Sequence, residues 1–408
     1  MTKNDKNIII RSTKSSIKFS NKNKLNSINL FVDEYKRITQ KFVDILWENK
    51  DKKISSLLDK SITNQINDSW LSQRAIQSAG KQASGIVRGT VQKHKQRLYK
   101  LKELMKLKTN TKKLQRKIDR TILTKPNLKS VSPELDSRFI EIINSDNSFD
   151  LWVKLSSIGN KQVFYIPIKK TEHFNKLINE NYNLKKGIRI SKTSITFMFE
   201  KEQIFREKGE TLGIDIGIKN TISASNNFYS TPCKHNHTLE SIQKTLSNKK
   251  KGSKNFKQTQ EHRKNYINWT INQLNLDNFK TVKLEKIKNM RYKSRSSRFM
   301  SHWTYTDIFD KLCLKCEELG VQVLHISPTY TSQRCSACGW TRKRNRKGKV
   351  FKCEKCNFTS DSDLNGSFNI SLDLPEILWE KRHAHDNKKG FYWHVRGEEP
   401  IVPLVNKE

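Results

Sequence analysis

The chain of 408 residues has room for about two to four modules on a prior of ~100–200 residues each. Its hydrophobic share, 34%, is low for one large core, yet 8 Trp and 19 Phe exclude wholesale disorder. With 79 Lys+Arg against 40 Asp+Glu the formal net charge is +39, spread along the whole chain, which points to a nucleic-acid polyanion rather than a basic tail or a membrane surface.

No stretch approaches the ~20 apolar residues of a membrane span, and Ile8–Ile10 is too short for a signal-peptide core. A cytoplasmic protein with no membrane partner is expected. The 7 cysteines are odd in number, and four sit in paired CxxC units, which suits reduced metal ligands better than disulfides.

Ile8–Phe19 reads as a strand, alternating through Ile17 and Phe19. From Leu25 to about Trp47, apolar residues at three- and four-residue steps (Ile28, Phe31, Val32, Tyr35, Ile38, Phe42) predict a helix. A second helical region runs from about Ile54 to Leu123, broken near Thr109–Thr111 and closed by Pro126 and Pro133. Within it Arg74, Lys81, Arg88 and Lys95 recur every seven residues. On a continuous helix they form one ridge ~30 Å long, either a solvated face or a surface that tracks phosphates. The small residues Ala79, Gly80, Ala83 and Ser84 between them allow close backbone approach.

Phe139–Ser156, with a polar turn at Ser145–Ser148, then Gln162–Ile168 and Ile188–Phe199, form a strand-rich block that pairs with the first strand as one barrel interrupted by helices. Leu212–Glu408 changes rhythm: strand, strand, helix, strand, helix, strand, cysteine module, helix. Lys249–Lys257 is a basic, glycine-containing connection.

Thr211–Lys219 is a buried-type strand with one acid, Asp215, flanked by Gly213 and Gly217. An unpaired carboxylate there is costly unless a cation offsets it. Glu285 ends a second short strand, Thr281–Glu285, and Asp361 and Asp363 open a helix. Two strand-borne acids and one helix-borne acid can converge on paired ions of the Mg²⁺ or Mn²⁺ kind. Residues two apart on a helix point about 200° apart, so one of Asp361 and Asp363 at most faces the metals, and composition does not choose between them.

Cys335-Ser-Ala-Cys338 and Cys353-Glu-Lys-Cys356 have the spacing of a four-thiolate zinc ribbon, a structural Zn²⁺ site with no position left for water. Between them Arg342, Lys343, Arg344, Arg346, Lys347 and Lys349 make a basic hairpin suited to nucleic acid. Cys313 and Cys316 fall in an amphipathic helix and read as packing residues. Cys233, His235 and His237 in a polar loop lack a partner pair and are set aside as ligands, as are His383, His385 and His394.

Gly213–Lys219, Lys283-Leu-Glu285, Pro328–Gly339, Phe351–Cys356, Asp363-Leu-Asn365 and Asn369-Ile370 together resemble the TnpB family, the transposon-encoded relatives of compact type V CRISPR effectors. The resemblance covers about Leu212–Leu372; upstream it rests on domain order and a loose likeness of Gln73–Leu98 to the family's recognition helices. It implies a multidomain α+β chain with a wedge-type β-barrel, an inserted helical recognition domain, an RNase H-like (RuvC) α/β nuclease domain and an inserted zinc ribbon.

On that pattern residues 1–20 give the first barrel strand, 21–128 the recognition domain and 129–207 the rest of the barrel. Residues 208–331 and 361–408 give the two nuclease parts, the latter with the tail, and 332–360 the ribbon. Asp215, Glu285 and Asp363 are then the catalytic, magnesium-binding carboxylates, because the family acid stands two residues before an asparagine, here Asn365.

Guide RNA and target DNA are the implied partners of a monomer or homodimer acting at the nucleoid of a prokaryotic cell, with base pairing reading sequence and protein reading a short flanking motif. Arg74, Lys81, Arg88, Lys95, Arg342, Arg344 and Arg346 are the candidate nucleic-acid contacts. Gly366-Ser-Phe replaces the usual alanine-rich continuation, and the tail Asp373–Glu408 with Trp379, Phe391, Tyr392 and Trp393 extends beyond a minimal member. A non-cleaving RNA-guided repressor and a DNA-strand transferase are the rival readings.

Overall fold

The computed structural model describes residues 8–106, 111–145, 147–287, 297–377 and 388–397. Thr109 of the expected helix break, and Trp379, His383 and His385 of the tail, lie outside the described residues. The chain divides into two compact units, Met1–Glu202 and Gln203–Glu408. No described helix is long and apolar enough to cross a membrane.

The first unit runs β1 (Ile8–Ser16), α1 (Lys22–Glu48), α2 (Lys60–Thr63), α3 (Gln73–Lys106), α4 (Thr111–Asp119), β2 (Glu134–Leu135), β3 (Ile140–Asn144), β4 (Leu151–Leu155), β5 (Phe164–Ile168), α5 (Glu172–Asn179), β6 (Asn183–Ile190) and β7 (Ser194–Glu202). Asn21 caps α1, its side chain accepting from the Lys24 amide at 2.9 Å. Ile28, Phe31, Tyr35, Ile38 and Phe42 on one α1 face are wholly buried.

Opposite them α3 offers Ala75, Ala79, Gly80 and Ala83, small enough for the two helices to pack closely. A side chain at Gly80 would put its Cβ 2.8 Å from Leu58 Cδ1. The expected helix from Ile54 is shorter than the periodicity suggested. Its main body starts at Gln73, after Ser72 Oγ accepts from the Ala75 amide at 3.1 Å, and only Lys60–Thr63 is helical before it.

The strands form two antiparallel sheets, in the orders β1-β7-β6-β2 and β3-β4-β5, over one apolar core. β1 pairs with β7 along its whole length, from Ile8 opposite Glu202 to Ser16 opposite Ser194. The helices α1–α4 are thus an insertion between β1 and β2, the two edge strands of the same sheet. Where Ile188–Phe199 alternates as though one strand, the chain reverses at Ser191–Thr193, with the Ser191 hydroxyl accepting from the amides of Thr193 and Ser194.

The second unit runs β8 (Glu210–Asp215), β9 (Ser223–Ala224), α6 (Leu239–Asn248), α7 (Lys254–Gln273), β10 (Phe279–Glu285), α8 (Arg298–Ser301), α9 (Tyr305–Glu318), β11 (Gln322–Ile326), β12 (Trp340–Thr341), β13 (Arg346–Lys347), β14 (Val350–Lys352), β15 (Thr359–Asp361), α10 (Ser362–Ser371) and β16 (Phe391–Tyr392). Its main sheet has the order β11-β10-β8-β9, with β8, β10 and β11 parallel and β9 antiparallel. Parallel neighbours need long crossovers, supplied by the α6–α7 pair and by α9. The single helix expected between the second and third strands is two, because Lys249–Ser253 interrupts it and the Ser253 hydroxyl caps α7.

Candidate active site

Asp215 ends β8 and Glu285 ends β10, and pairing of Ile214 with Leu284 sets the two acids side by side at the carboxyl ends of adjacent parallel strands. In open α/β sheets that edge is where ligands bind. α10 then crosses β8 over Gly213, where any Cβ would stand 2.1 Å from the Ser367 carbonyl oxygen and 2.4 Å from the Ser371 amide nitrogen. Glycine is the side chain that this crossing admits. Just before Ser367, Gly366 faces Asp215, and a Cβ there would stand 3.3 Å from Asp215 Oδ2, a tight approach.

The two acids that open α10 do different jobs. Asp361 Oδ1 accepts from the amides of Asp363 (2.8 Å) and Leu364 (3.2 Å), as a helix cap. Asp363 is 7% exposed, takes the Asn220 side-chain amide at 3.3 Å, and adds its charge to the field on Asp215. Burial first, then the charges of Glu285 and Asp363, push Asp215 up to about 8, and burial raises Glu285 as well.

A buried group of carboxylates repelling one another in this way asks for a cation, and their hard oxygens fit Mg²⁺ or Mn²⁺. Here cations of the chain itself answer Asp363: Arg346 Nη2 lies 3.2 Å from Oδ1, and Lys349 Nζ bonds Oδ2. Both come from the basic hairpin.

Glu285 is held by groups remote in sequence. Thr331 Oγ1 donates to Glu285 Oε1 at 2.5 Å, and Tyr305 donates its hydroxyl to the Glu285 carbonyl at 2.5 Å. Thr331 in turn belongs to a buried knot. Asn369 Nδ2 donates to the carbonyls of Thr331 (2.9 Å) and Arg334 (2.7 Å), and Asn365 Nδ2 donates to the Arg334 carbonyl at 2.8 Å. Arg334, only 4% exposed, donates to Asn369 Oδ1 (2.7 Å) and, from Nε, to the Trp393 carbonyl (2.7 Å). Thr331, Arg334, Asn369 and Asn220 were not singled out from sequence, although the first three stand inside the motifs quoted for the family resemblance.

The knot joins α10 to the cysteine module. Sulfurs of Cys335 and Cys356 are 3.6 Å apart, as are those of Cys338 and Cys353. Four thiolates at ~2.3 Å from one zinc would be ~3.75 Å apart, so the set fits a tetrahedral Zn²⁺. Among the described residues these four are the one group of three or more His, Cys, Asp or Glu ligand atoms that already lie within 4.8 Å of one another. The tail packs on this module: β16 pairs with β12, and Trp340 meets Tyr392 edge-on with ring centroids 4.9 Å apart.

The other sequence candidates are dispersed. Arg74, Lys81, Arg88 and Lys95 are all exposed on the single helix α3. Arg88 and Lys95, with Lys50, Lys52 and Lys53, line an open cavity of about 520 Å³. Arg344 is exposed, whereas Arg342 pairs with Glu354 and Arg346 with Asp363. Cys313 and Cys316 lie on α9 in the apolar core, their thiols pushed up by burial to about 11 and about 12.

These observations define a class before they define relatives. The chain has a multidomain α+β fold like that of compact type V effectors. A solved structure titled as the mini-RNA-guided endonuclease CRISPR-Cas_phi3 matches it at a TM-score of 0.50 and 10% identity, over 89% of this chain and 92% of that one.

By sequence the chain is similar to proteins named as CRISPR-associated, as RNA-guided and as TnpB-like. Residues 305–370 match the family described as Cas12f1-like, TNB domain. The CRISPR-associated endodeoxyribonuclease Cas12f1 of Sulfoacidibacillus thermotolerans is 37% identical over 128 residues, 31% of this chain and 29% of that protein. The Escherichia coli (strain K12) protein named "Putative RNA-guided DNA endonuclease InsQ" is 38% identical over 84 residues, 20% of this chain and 21% of its own. The matched segments thus span less than a third of these relatives.

Proposed function

We propose that the protein is an RNA-guided DNA endonuclease of the TnpB kind, cutting target DNA by metal-dependent phosphodiester hydrolysis. The observation that carries this is the placement of Asp215 and Glu285 on adjacent parallel strand ends, with Asp363 at the start of α10 adding its charge to theirs. A sheet of parallel β8, β10 and β11 with antiparallel β9 and an acid-bearing helix across it supports an RNase H-like (RuvC) reading. The names carried by the similar proteins point the same way. A compact type V CRISPR effector of the same fold is the alternative within this reading.

In this account Asp215, Glu285 and Asp363 hold Mg²⁺ or Mn²⁺. When bound, a pair of such ions activates the attacking water and stabilises the leaving oxygen. Thr331 fixes the orientation of the Glu285 carboxylate, Asp361 fixes the first turn of α10, and Gly366 keeps side-chain bulk away from Asp215. Arg346 and Lys349 hold Asp363, and would be free to pair with the DNA phosphate once that carboxylate took a metal. Cys335, Cys338, Cys353 and Cys356 would hold a structural zinc at the base of the hairpin bearing those cations.

The first unit fits the role of guide holder. Residues 1–20 and 129–207 would make the wedge-type barrel, with the two sheets sharing a core, and 21–128 the recognition domain inserted in it. The exposed cations of α3 would track RNA phosphates, and Arg342 and Arg344 of the ribbon would meet target DNA. Residues 208–331 and 361–408 would form the nuclease and 332–360 the ribbon. Sequencing RNA that copurifies with the protein, then programming plasmid cutting with that RNA in Mg²⁺, tests the proposal. Cutting that follows the RNA sequence is expected. Cutting indifferent to it, or target binding without cutting, overturns it.

A further inference from the structure

The loop between β9 and α6 carries Cys233, His235 and His237, which sequence alone set aside for want of a partner. The fold supplies one. His262 lies half-buried on α7, one turn before Tyr266, whose hydroxyl pins the loop by donating to the Thr231 carbonyl at 2.9 Å. The loop folds back on itself: the Cys233 amide donates to the His237 carbonyl at 2.9 Å and the Asn236 amide to the Cys233 carbonyl at 2.7 Å. Asn236 takes the left-handed conformation (φ 59°) that such a tight turn needs.

The result is a knuckle whose His237 ring stands 5.2 Å from the His262 ring, at 79° between planes. Two imidazoles on one tetrahedral zinc, each N at ~2.0–2.1 Å with its ring centre ~3.2 Å from the ion, would have centroids ~5.2 Å apart. The pair already has that separation.

We propose that Cys233, His235, His237 and His262 form a second metal site, taking a zinc-class divalent ion that clamps the β9–α6 loop onto α7. One thiolate and three imidazoles are a borderline-soft donor set, suited to Zn²⁺ or Co²⁺ and unlike the hard oxygens around Asp215. His237 and His262 form the preset pair. Cys233 sits half-buried at the foot of the loop and His235 is exposed, and both side chains would turn in on the ion to complete four ligands. The site stands whatever reaction the chain performs.

The test is metal stoichiometry on the full untagged chain, loaded with Zn²⁺ and dialysed. Wild type should retain about two ions per chain, one at the ribbon, and H237A/H262A should retain about one. In wild type, Zn²⁺ should also slow alkylation of Cys233 at least tenfold, and the double variant should lose that protection. A single ion in wild type, two in the double variant, or Cys233 alkylation indifferent to Zn²⁺ overturns the proposal.

Discussion

Thr331 donates its hydroxyl to Glu285 Oε1 at 2.5 Å across 46 residues of chain. That bond links the neck of the zinc ribbon to the acid at the end of β10. Thr331 is 2% exposed, so its hydroxyl has no water to turn to. Partners that orient a metal-binding side chain typically contribute about 10–100-fold in affinity or activity. Thr331→Val should therefore lower the DNA-cutting rate by about 10–100-fold and weaken Mn²⁺ binding, while RNA binding stays as it was. Thr331→Ser should restore most of both. Cleavage kinetics and Mn²⁺ calorimetry read the effect, and equal loss in the serine and valine variants would count against a positioning bond.

Asp215 binds its proton more tightly in the folded chain than in the unfolded one, with a pKa of about 8 against about 4. Protonation therefore stabilises the fold fully below about pH 4, and the contribution drains away as pH climbs towards about 8. In buffer without Mg²⁺ the melting temperature of Asp215→Asn should pull above that of wild type as pH rises through this window, and Mg²⁺ should close the gap. A difference that stays constant with pH would contradict the origin assigned to this shift.

Arg334 is a buried cation that relies on Asn369 Oδ1 for one of its bonds. Asn369→Ala would remove one acceptor of that guanidinium, which keeps the carbonyls of Cys335 and Trp393, and one donor to each of the carbonyls of Thr331 and Arg334. Losing one hydrogen bond of a buried charged donor costs about 2 kcal/mol. Urea unfolding of the full chain should show a loss of that size, with the tail at Trp393 becoming more accessible to protease.

On α3, Arg88 and Lys95 belong to the same open cationic cavity as Lys50, Lys52 and Lys53. If both touch guide phosphates, R88A/K95A should weaken RNA binding and flatten the slope of log affinity against log salt by about 1.5, close to the counterions two contacts release. Unchanged slope would return this ridge to an ordinary solvated face.

The legible parts of this molecule are those that sequence writes locally. Four cysteines at CxxC spacing meet because each knuckle is a short turn, and Asp215 among aliphatics announces a charged centre on a buried strand. The seven-residue ridge was readable because a helix repeats nearly every two turns, and α3 does run unbroken through Arg74 and Lys95. Composition left Asp361 and Asp363 tied; the family resemblance favoured Asp363, and the structure adds the capping role of Asp361, which depends on where the helix starts.

The pairings that were not legible join distant segments: Thr331 to Glu285, Lys349 to Asp363, Arg334 to Asn369, His237 to His262. Nothing in the spacing of these pairs specifies contact; the crossing of α10 over Gly213 and the docking of the loop on α7 do. The early end of helical structure between Ile54 and Ser72 was missed for a similar reason. There the periodicity rests on a few apolar residues, and the Ser72 hydroxyl fixes the start of α3 at Gln73 by accepting from the Ala75 amide.

The direct test of the catalytic account is to compare Asp215→Ala, Glu285→Gln and Asp363→Ala with wild type, each carrying its guide RNA, in a Mg²⁺-dependent plasmid cleavage assay with RNA retention measured in parallel. The account predicts that each loses at least about 10³-fold in cutting rate, as expected when metal-borne stabilisation of the transition state is removed, while guide RNA is retained. A variant that cuts within a few-fold of wild type with its guide still bound would contradict the assignment of that residue, and near-normal cutting by Asp215→Ala would contradict the site as a whole.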